Sequence, residues 1–303
     1  MKASDPVTYL SRRGFIIAGG MALSAARGLP AAPACTLTSE QEEGPYYIDD
    51  ETLRRDITEG RPGVPVMLDI RLLDANTCLP LENAALDIWH CDAMGVYSGF
   101  TANSPDGGRA GGRQGGPPPQ GPPPANGFVP GMPPPGFGRG GPGGRGSRVT
   151  DKTRFLRGVQ LTDSQGLASF STLYPGWYSG RAIHIHLKVH IGGTTAEKYS
   201  GGHVAHTGQL FFPEDITEHI SRLEPYAKRL SIHRTTQDED GIFQSQHGAE
   251  GMVSLERIQK SSDAGGFRAT VTLAVDRDAK PVPVGGFGGR GFPGRGPGGP
   301  PPR

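Results

Sequence analysis

From Ile183 to His190 the chain alternates apolar and polar side chains without a break. Ile183, Ile185, Leu187 and Val189 take one parity; His184, His186, Lys188 and His190 take the other. Period two belongs to an extended strand, whose successive side chains point to opposite faces; a helix would scatter the four aliphatic residues around its axis. The segment therefore reads as a strand with one face in a core and three imidazoles and an ammonium on the other. Further short apolar or alternating runs lie at 66–73, 85–91, 155–161, 167–172, 208–212 and 268–275. Turn signals such as Asp163-Ser164-Gln165-Gly166 and Gly192-Gly193 separate them. One helix is expected from 214 to about 223, opened by Pro213, Glu214 and Asp215, which suit a first turn and its dipole. Many short strands point away from βαβ units and predict a mainly β fold: a single-domain β-sandwich of mixed strands with few short helices.

Glycine (48) and proline (29) make up about a quarter of the 303 residues, roughly twice the usual share. The excess is local: 28 of the 46 residues at 103–148 and 14 of the 20 at 284–303 are Gly or Pro. Segments this poor in apolar side chains cannot offset the entropy of ordering. The expected organisation is one domain over 35–283, interrupted by a Gly/Pro-rich disordered insert at 103–148 and followed by a like tail at 284–303. The Gly-X-Y period of a collagen is absent. The insert carries Arg109, Arg113, Arg139, Arg145 and Arg148 against Asp106 alone. It reads either as a cationic arm for cell-envelope or polymer contact or as a tolerated surface loop. Over the whole chain 31 Lys+Arg face 30 Asp+Glu, a balance that argues against a nucleic-acid binder.

Residues 1–34 read as an address. Ser11-Arg12-Arg13-Gly14-Phe15-Ile16 leads into a small-residue apolar stretch at 14–26 and then into Ala32-Pro33-Ala34, the order of a twin-arginine-type signal peptide with its cleavage site. The stretch falls well short of the ~20 residues that span a bilayer. Export to the periplasm or the exterior is the expectation. Cys35 follows the cleavage motif directly, so two fates are open: lipidation as a lipoprotein, or a disulfide with Cys78 or Cys91.

Two imidazoles at positions i and i+2 of a strand share a face, about 7 Å apart, and can reach one metal ion. His-x-His alone is weak evidence, since partly exposed histidines give the same pattern. No carboxylate occurs at 189–191 to complete a ferrous site, and His190 leaves a zinc hydrolase of His184, His186 and His190 open. Two tyrosines are the better lead: Tyr97, just past the second strand, and Tyr178, in a Gly-bounded turn six residues before His184. His90 shares a strand face with Leu86 and Ile88 and reads as structural. Trp89 and Trp177 read as core or wall residues, and His203 and His206 as surface residues of a Gly-rich loop. Tyr46 and Tyr47 either line a substrate mouth or pack a turn.

Five pieces, in order, carry a resemblance: Glu43-Gly44-Pro45-Tyr46-Tyr47; Asp87-Ile88-Trp89-His90-Cys91-Asp92-Ala93 with Gly95-x-Tyr97; Pro175-Gly176-Trp177-Tyr178; Arg181-x-x-His184-x-His186; and Gly208-Gln209-Leu210-Phe211-Phe212. Together the chain resembles the intradiol ring-cleavage dioxygenases, the catechol and protocatechuate dioxygenase superfamily, in its secreted bacterial branch. The resemblance implies a non-haem Fe(III) held by Tyr97, Tyr178, His184 and His186. It implies an enzyme that takes a catecholic substrate and O2 and opens the ring between its hydroxylated carbons to a cis,cis-muconate-type diacid. Tyr178 would leave the metal and accept a substrate proton, Arg181 would stabilise negative charge on the ring, and Gln209 would hydrogen-bond in the same cleft. Hard, anionic phenolate oxygens suit a trivalent iron. The spacing from Tyr178 to His184 is shorter than in protocatechuate enzymes, and the long N-terminal helical region of typical catechol enzymes is absent before the Glu43-Gly44-Pro45 motif. A secreted β-sandwich binding module without catalysis stands beside the zinc hydrolase as an alternative.

Overall fold

The expected strands form, and their alternation decides which faces meet. The computed structural model describes residues 35–49, 52–108 and 148–284; the proposed signal peptide, most of the insert and nearly all of the tail lie outside them. In chain order the strands are β1 (Pro65–Asp74), β2 (Ala85–Trp89), β3 (Arg157–Leu161), β4 (Leu167–Leu173) and β5 (His184–Ile191). They continue with β6 (Thr194–Thr195), β7 (Tyr199–Ser200), β8 (His203–Phe211), β9 (Ser254–Arg257) and β10 (Phe267–Val275). Two short helices, α1 (Glu214–Ile220) and α2 (Gly241–Ser245), join them. β8 begins five residues before the expected run, and β9, α2 and the β6–β7 hairpin carry too little periodicity to be foreseen.

One sheet has the order β4-β1-β10-β9, the other β3-β2-β5-β8. β1 and β10 pair in parallel and their neighbours antiparallel, which makes the first sheet mixed; the second is antiparallel throughout. Val66, Leu68, Ile70 and Leu72 of β1 face Leu86 and Ile88 of β2 and Ile185, Leu187 and Val189 of β5 in one core, closed by Phe170, Phe267 and Leu273. Each fully buried aliphatic side chain contributes roughly 1.5–3 kcal/mol, so the alternation of β1 and β5 is a large part of what holds the sheets together. The described residues belong to one compact unit, and no helix among them is long and apolar enough to cross a membrane.

The other face of the second sheet is not open to solvent. Residues 41–49 cross it, and His184, His186, Lys188 and His190 are all buried. Lys188 reaches out to Glu43 at 2.6 Å and lies 3.5 Å from the Tyr47 ring centroid. Cys35 is bonded to Cys78, across 43 residues, and ties the start of the domain to the turn after β1. Cys91 stays a buried thiol, donating to the Gly176 carbonyl. A sulfur in that disulfide cannot carry a lipid, so the two fates of Cys35 exclude one another.

Candidate active site

Four side chains meet beneath the 41–49 segment. His184 and His186 project from the same face of β5, and their Nε2 atoms are 3.0 Å apart. The Tyr178 hydroxyl lies 3.2 Å from His184 Nε2 and 3.4 Å from the Tyr97 hydroxyl. Tyr97, Tyr178, His184 and His186, singled out from the sequence, are therefore brought to one point.

Local structure explains how each arrives. Asp92 Oδ1 accepts the Met94 and Val96 N–H groups, an Asx-type turn that folds residues 92–97 back toward the sheet. The Tyr97 N–H is held by Ser104 Oγ at 2.9 Å. Tyr178 and Arg181 pair across a tight turn through Gly180, whose φ is +92°, a value glycine adopts without cost. The His186 ring stacks on Trp89 with centroids 5.0 Å apart and planes 5° from parallel; Tyr97 stacks on Tyr46 at 4.4 Å. Gly44, in the left-handed region at φ +73°, passes over His186 so closely that a Cβ would sit 2.9 Å from its Cε1. The Glu43-Gly44-Pro45 motif is thus the roof over a ligand histidine candidate.

The electrostatics suit a cation. His184 Nδ1 is 2.6 Å from the Ala182 carbonyl; a carbonyl only accepts, so Nδ1 carries the proton and Nε2 presents its lone pair inward. Burial drives the His184 pKa down to about 3, with Arg181 adding to the effect. Burial, followed by His184 and Arg181, holds His186 far below the usual range. Both rings are neutral donors. Without a metal, burial pushes both phenols up, Tyr97 further through Tyr178 and Tyr178 against the opposing pull of Arg181. Two uncharged imidazoles with Nε2 atoms 3.0 Å apart and two hydroxyls beside them are a donor set that would suit a hard trivalent ion, whose charge would lower the phenol pKa values and let both bind as phenolates.

Arg181 lies at the rim of this cluster. Its Nε donates to Asp240 at 3.1 Å, Nη1 to Glu42 at 3.2 Å, and Nη2 to Gln209 Oε1. Burial opposes its charge, but Tyr178, Asp240 and Glu42 more than offset that, and its pKa is raised. Gln209 sits on β8 opposite His186 and donates from Nε2 to the Glu42 carbonyl at 2.9 Å. Burial raises the Glu42 pKa, Arg181 opposing and Asp240 adding. Asp240, fully buried, also caps α2 through Ile242 and Phe243 and takes the Ala182 N–H. Sequence reasoning missed Asp240 and Glu42; an Asp before Gly-Ile-Phe was a legible helix cap, but nothing local ties it to Arg181.

Other expectations resolve as follows. His90 is buried and structural, bonded to Thr172 Oγ1 at 2.7 Å and facing the Cys91 carbonyl at 2.8 Å. Trp89 and Trp177 are buried walls. Tyr46 and Tyr47 pack against Tyr97 and Trp89. His206 is not a surface residue: it is buried and paired with Glu40 at 2.6 Å, because residues 40–42 lie along β8. The zinc arrangement fails on geometry. His190 is four residues along the strand from His186, edge-on to Tyr199, and no group of three or more His, Cys, Asp or Glu able to hold a metal occurs among the described residues.

Fold and site define a mixed-sheet β-sandwich with a buried two-tyrosine, two-histidine cluster. Two solved structures resemble the chain over most of its length. An intradiol ring-cleavage dioxygenase from Tetranychus urticae superposes with a TM-score of 0.61 at 28% identity, covering 82% of this chain and 98% of that one. A second solved dioxygenase gives a TM-score of 0.60 at 29% identity over the same shares of the two chains. No protein-family model and no curated protein matches the sequence. The chain is similar to the intradiol ring-cleavage dioxygenases, as its motifs indicated.

Proposed function

We propose that this chain is an intradiol dioxygenase that opens catecholic rings with O2 between the two hydroxylated carbons. The observation that carries the reading is the convergence of Tyr97, Tyr178, His184 and His186 on one point in a chain whose structural relatives are dioxygenases of this class. These four would hold Fe(III), which supplies Lewis acidity and the electron-accepting character that makes a bound catecholate reactive toward O2.

The chain's own groups divide the remaining work. Tyr97 is fully buried and stacked on Tyr46, so it stays in place. Tyr178 is the more exposed of the two phenols, beside exposed Ser179 and Gly180. It is the side chain able to turn away and take a catechol proton on its Oη. Arg181 is held by three partners, so its cation is preorganised for negative charge developing on the ring. Gln209 fixes Arg181 and the Glu42 backbone rather than acting alone. Residues 41–49 and Trp89 cover the histidine face of β5, where His184 and His186 are buried, which limits the access of bulk water to it.

Protein loaded with Fe(III) should show a visible phenolate-to-iron absorption, consume O2 with catechol, and yield a muconate spectrum rather than that of a yellow ring-opened aldehyde. Tyr97→Phe and Tyr178→Phe should each weaken or shift the band. Colourless protein, or a band untouched by both variants, would refute the ligand set.

Export is part of the same proposal, supported by the Arg12-Arg13 signal pattern and by a disulfide, a bond that persists in oxidising compartments. Polymer or cell-envelope contact through the arginines of the insert is supported by their excess over Asp106.

A further inference from the structure

Arg229 ends a short 3-10 helix, Tyr226–Arg229, remote in sequence from both tyrosines. Its side chain is 2% exposed, a depth at which an arginine needs partners for its donors. Nε donates to the Trp177 carbonyl at 3.0 Å, Nη1 to the Met94 carbonyl, and Nη2 to Asp106 Oδ2 at 3.3 Å. Trp177 immediately precedes Tyr178, and Met94 lies three residues before Tyr97. The same Asp106 oxygen accepts the N–H of Ser179, the residue after Tyr178, at 3.0 Å. One ion pair therefore grips the main chain on both sides of Tyr178 and the loop that delivers Tyr97.

The two loops are also pressed together. Gly176 N–H donates to the Asp92 carbonyl at 3.1 Å. Gly95 has φ +71°, and a Cβ there would lie 2.7 Å from the Trp177 carbonyl and 2.8 Å from Arg229 Nη2. Two carbonyls from separate loops thus share one donor group, and the planar guanidinium fork serves both at once.

We propose that Arg229 and Asp106 are a positioning pair that sets the separation of the Tyr97 and Tyr178 hydroxyls. The inference rests on reading those phenols as iron ligands. With Trp177 and Ser179 both anchored, the Tyr178 side chain turns while its backbone stays, so it leaves and returns to the same place. Asp106 lies within 103–148 by sequence, yet it is paired with Arg229 and bonded to the Ser179 N–H beside Tyr178.

The test uses the full chain loaded with Fe(III), as wild type, Arg229→Lys, Asp106→Ala and Asp106→Asn, reading iron per chain, the visible band, kcat and KM for catechol, and Tm. A lysine presents its three donors from one nitrogen, not along a planar fork, so it does not meet Trp177, Met94 and Asp106 from the directions the guanidinium does. Arg229→Lys is expected to keep iron, move the band maximum, and lower kcat about tenfold with KM within about twofold, as misplacement by a fraction of an ångström does. Asp106→Ala should shift both readouts the same way to a smaller extent. Asp106→Asn, which keeps an oxygen for the Ser179 N–H, should recover part of the loss. A fall in Tm with band and turnover per iron unchanged would overturn the proposal. If Arg229→Lys does not fold, Asp106→Ala, at the edge of the structure, decides on the same two readouts. Wild type that binds no iron or consumes no catechol refutes the proposed function instead.

Discussion

Replacing Gly44 with alanine separates a backbone effect from a contact with the site. Two costs are expected. Gly44 has φ +73°, and a non-glycine residue in that region costs about 1–2 kcal/mol. The new Cβ would also sit 2.9 Å from His186 Cε1, and such overpacking costs about 1–3 kcal/mol. Gly60 supplies the control, since it has φ +68° with nothing within 4 Å of a Cβ, so Gly60→Ala carries the backbone cost alone. The His186 ring is pinned between Trp89 and the roof. The contact energy must therefore appear as lost stability or, where the ring yields, as lost metal affinity. Urea unfolding of metal-free protein should show Gly60→Ala down by about 1–2 kcal/mol. Fe(III) titration followed at the visible band should show Gly60→Ala unchanged. Gly44→Ala should exceed its control by about 1–3 kcal/mol in stability, or bind Fe(III) about 5- to 150-fold more weakly, the same energy at 1.4 kcal/mol per tenfold. If the two variants coincide in both measurements, the Gly44 roof does not constrain His186.

Other outcomes follow from the same packing. Arg181→Ala should retain iron by metal analysis yet lose about 10²–10³ in turnover, the usual loss on removing a preorganised charge stabiliser; loss of iron would make Arg181 structural. Burial lowers the His90 pKa to about 4 from 6.5, with Arg157 adding and the Cys91 backbone opposing. The folded protein then binds fewer protons than the unfolded chain below pH 6.5. The His90 contribution is intact above that pH and falls by up to about 1.4 kcal/mol per unit toward pH 4. His90→Gln should flatten the urea-measured stability slope across that window by a comparable amount, and an unchanged slope would contradict it. Replacing Cys35 and Cys78 by serine opens a 43-residue separation and should cost about 2–4 kcal/mol in guanidinium unfolding; no change would mean the start of the domain is held by its hydrogen bonds to β8 and β10.

The aliphatic alternation of β1 and β5 was legible because burial acts on every second residue of a strand whatever its partner. So were the four side chains of the proposed centre, through motifs that place Tyr97 and Tyr178 at turns and His184 and His186 on one face. Arg229, Asp240 and Glu42 were not. Each acts on residues 50 or more positions away: Arg229 on Trp177 and Met94, Asp240 and Glu42 on Arg181. A charged residue looks the same in sequence whether water or a carbonyl meets it. His206 was misread for that reason, since its partner Glu40 is 166 residues away.

What the sequence determined by itself was periodic and local: which segments extend, which face of each is apolar, and where the chain turns. These follow from backbone geometry and solvation within a few residues. Only the tertiary structure decided that the polar face of β5 would be covered by residues 41–49. That covering turns an exposed row of histidines into a buried set of neutral donors. The closeness of two phenols and two imidazoles is the joint product of strands, turns and a distant arginine, and no local window of the chain contains it.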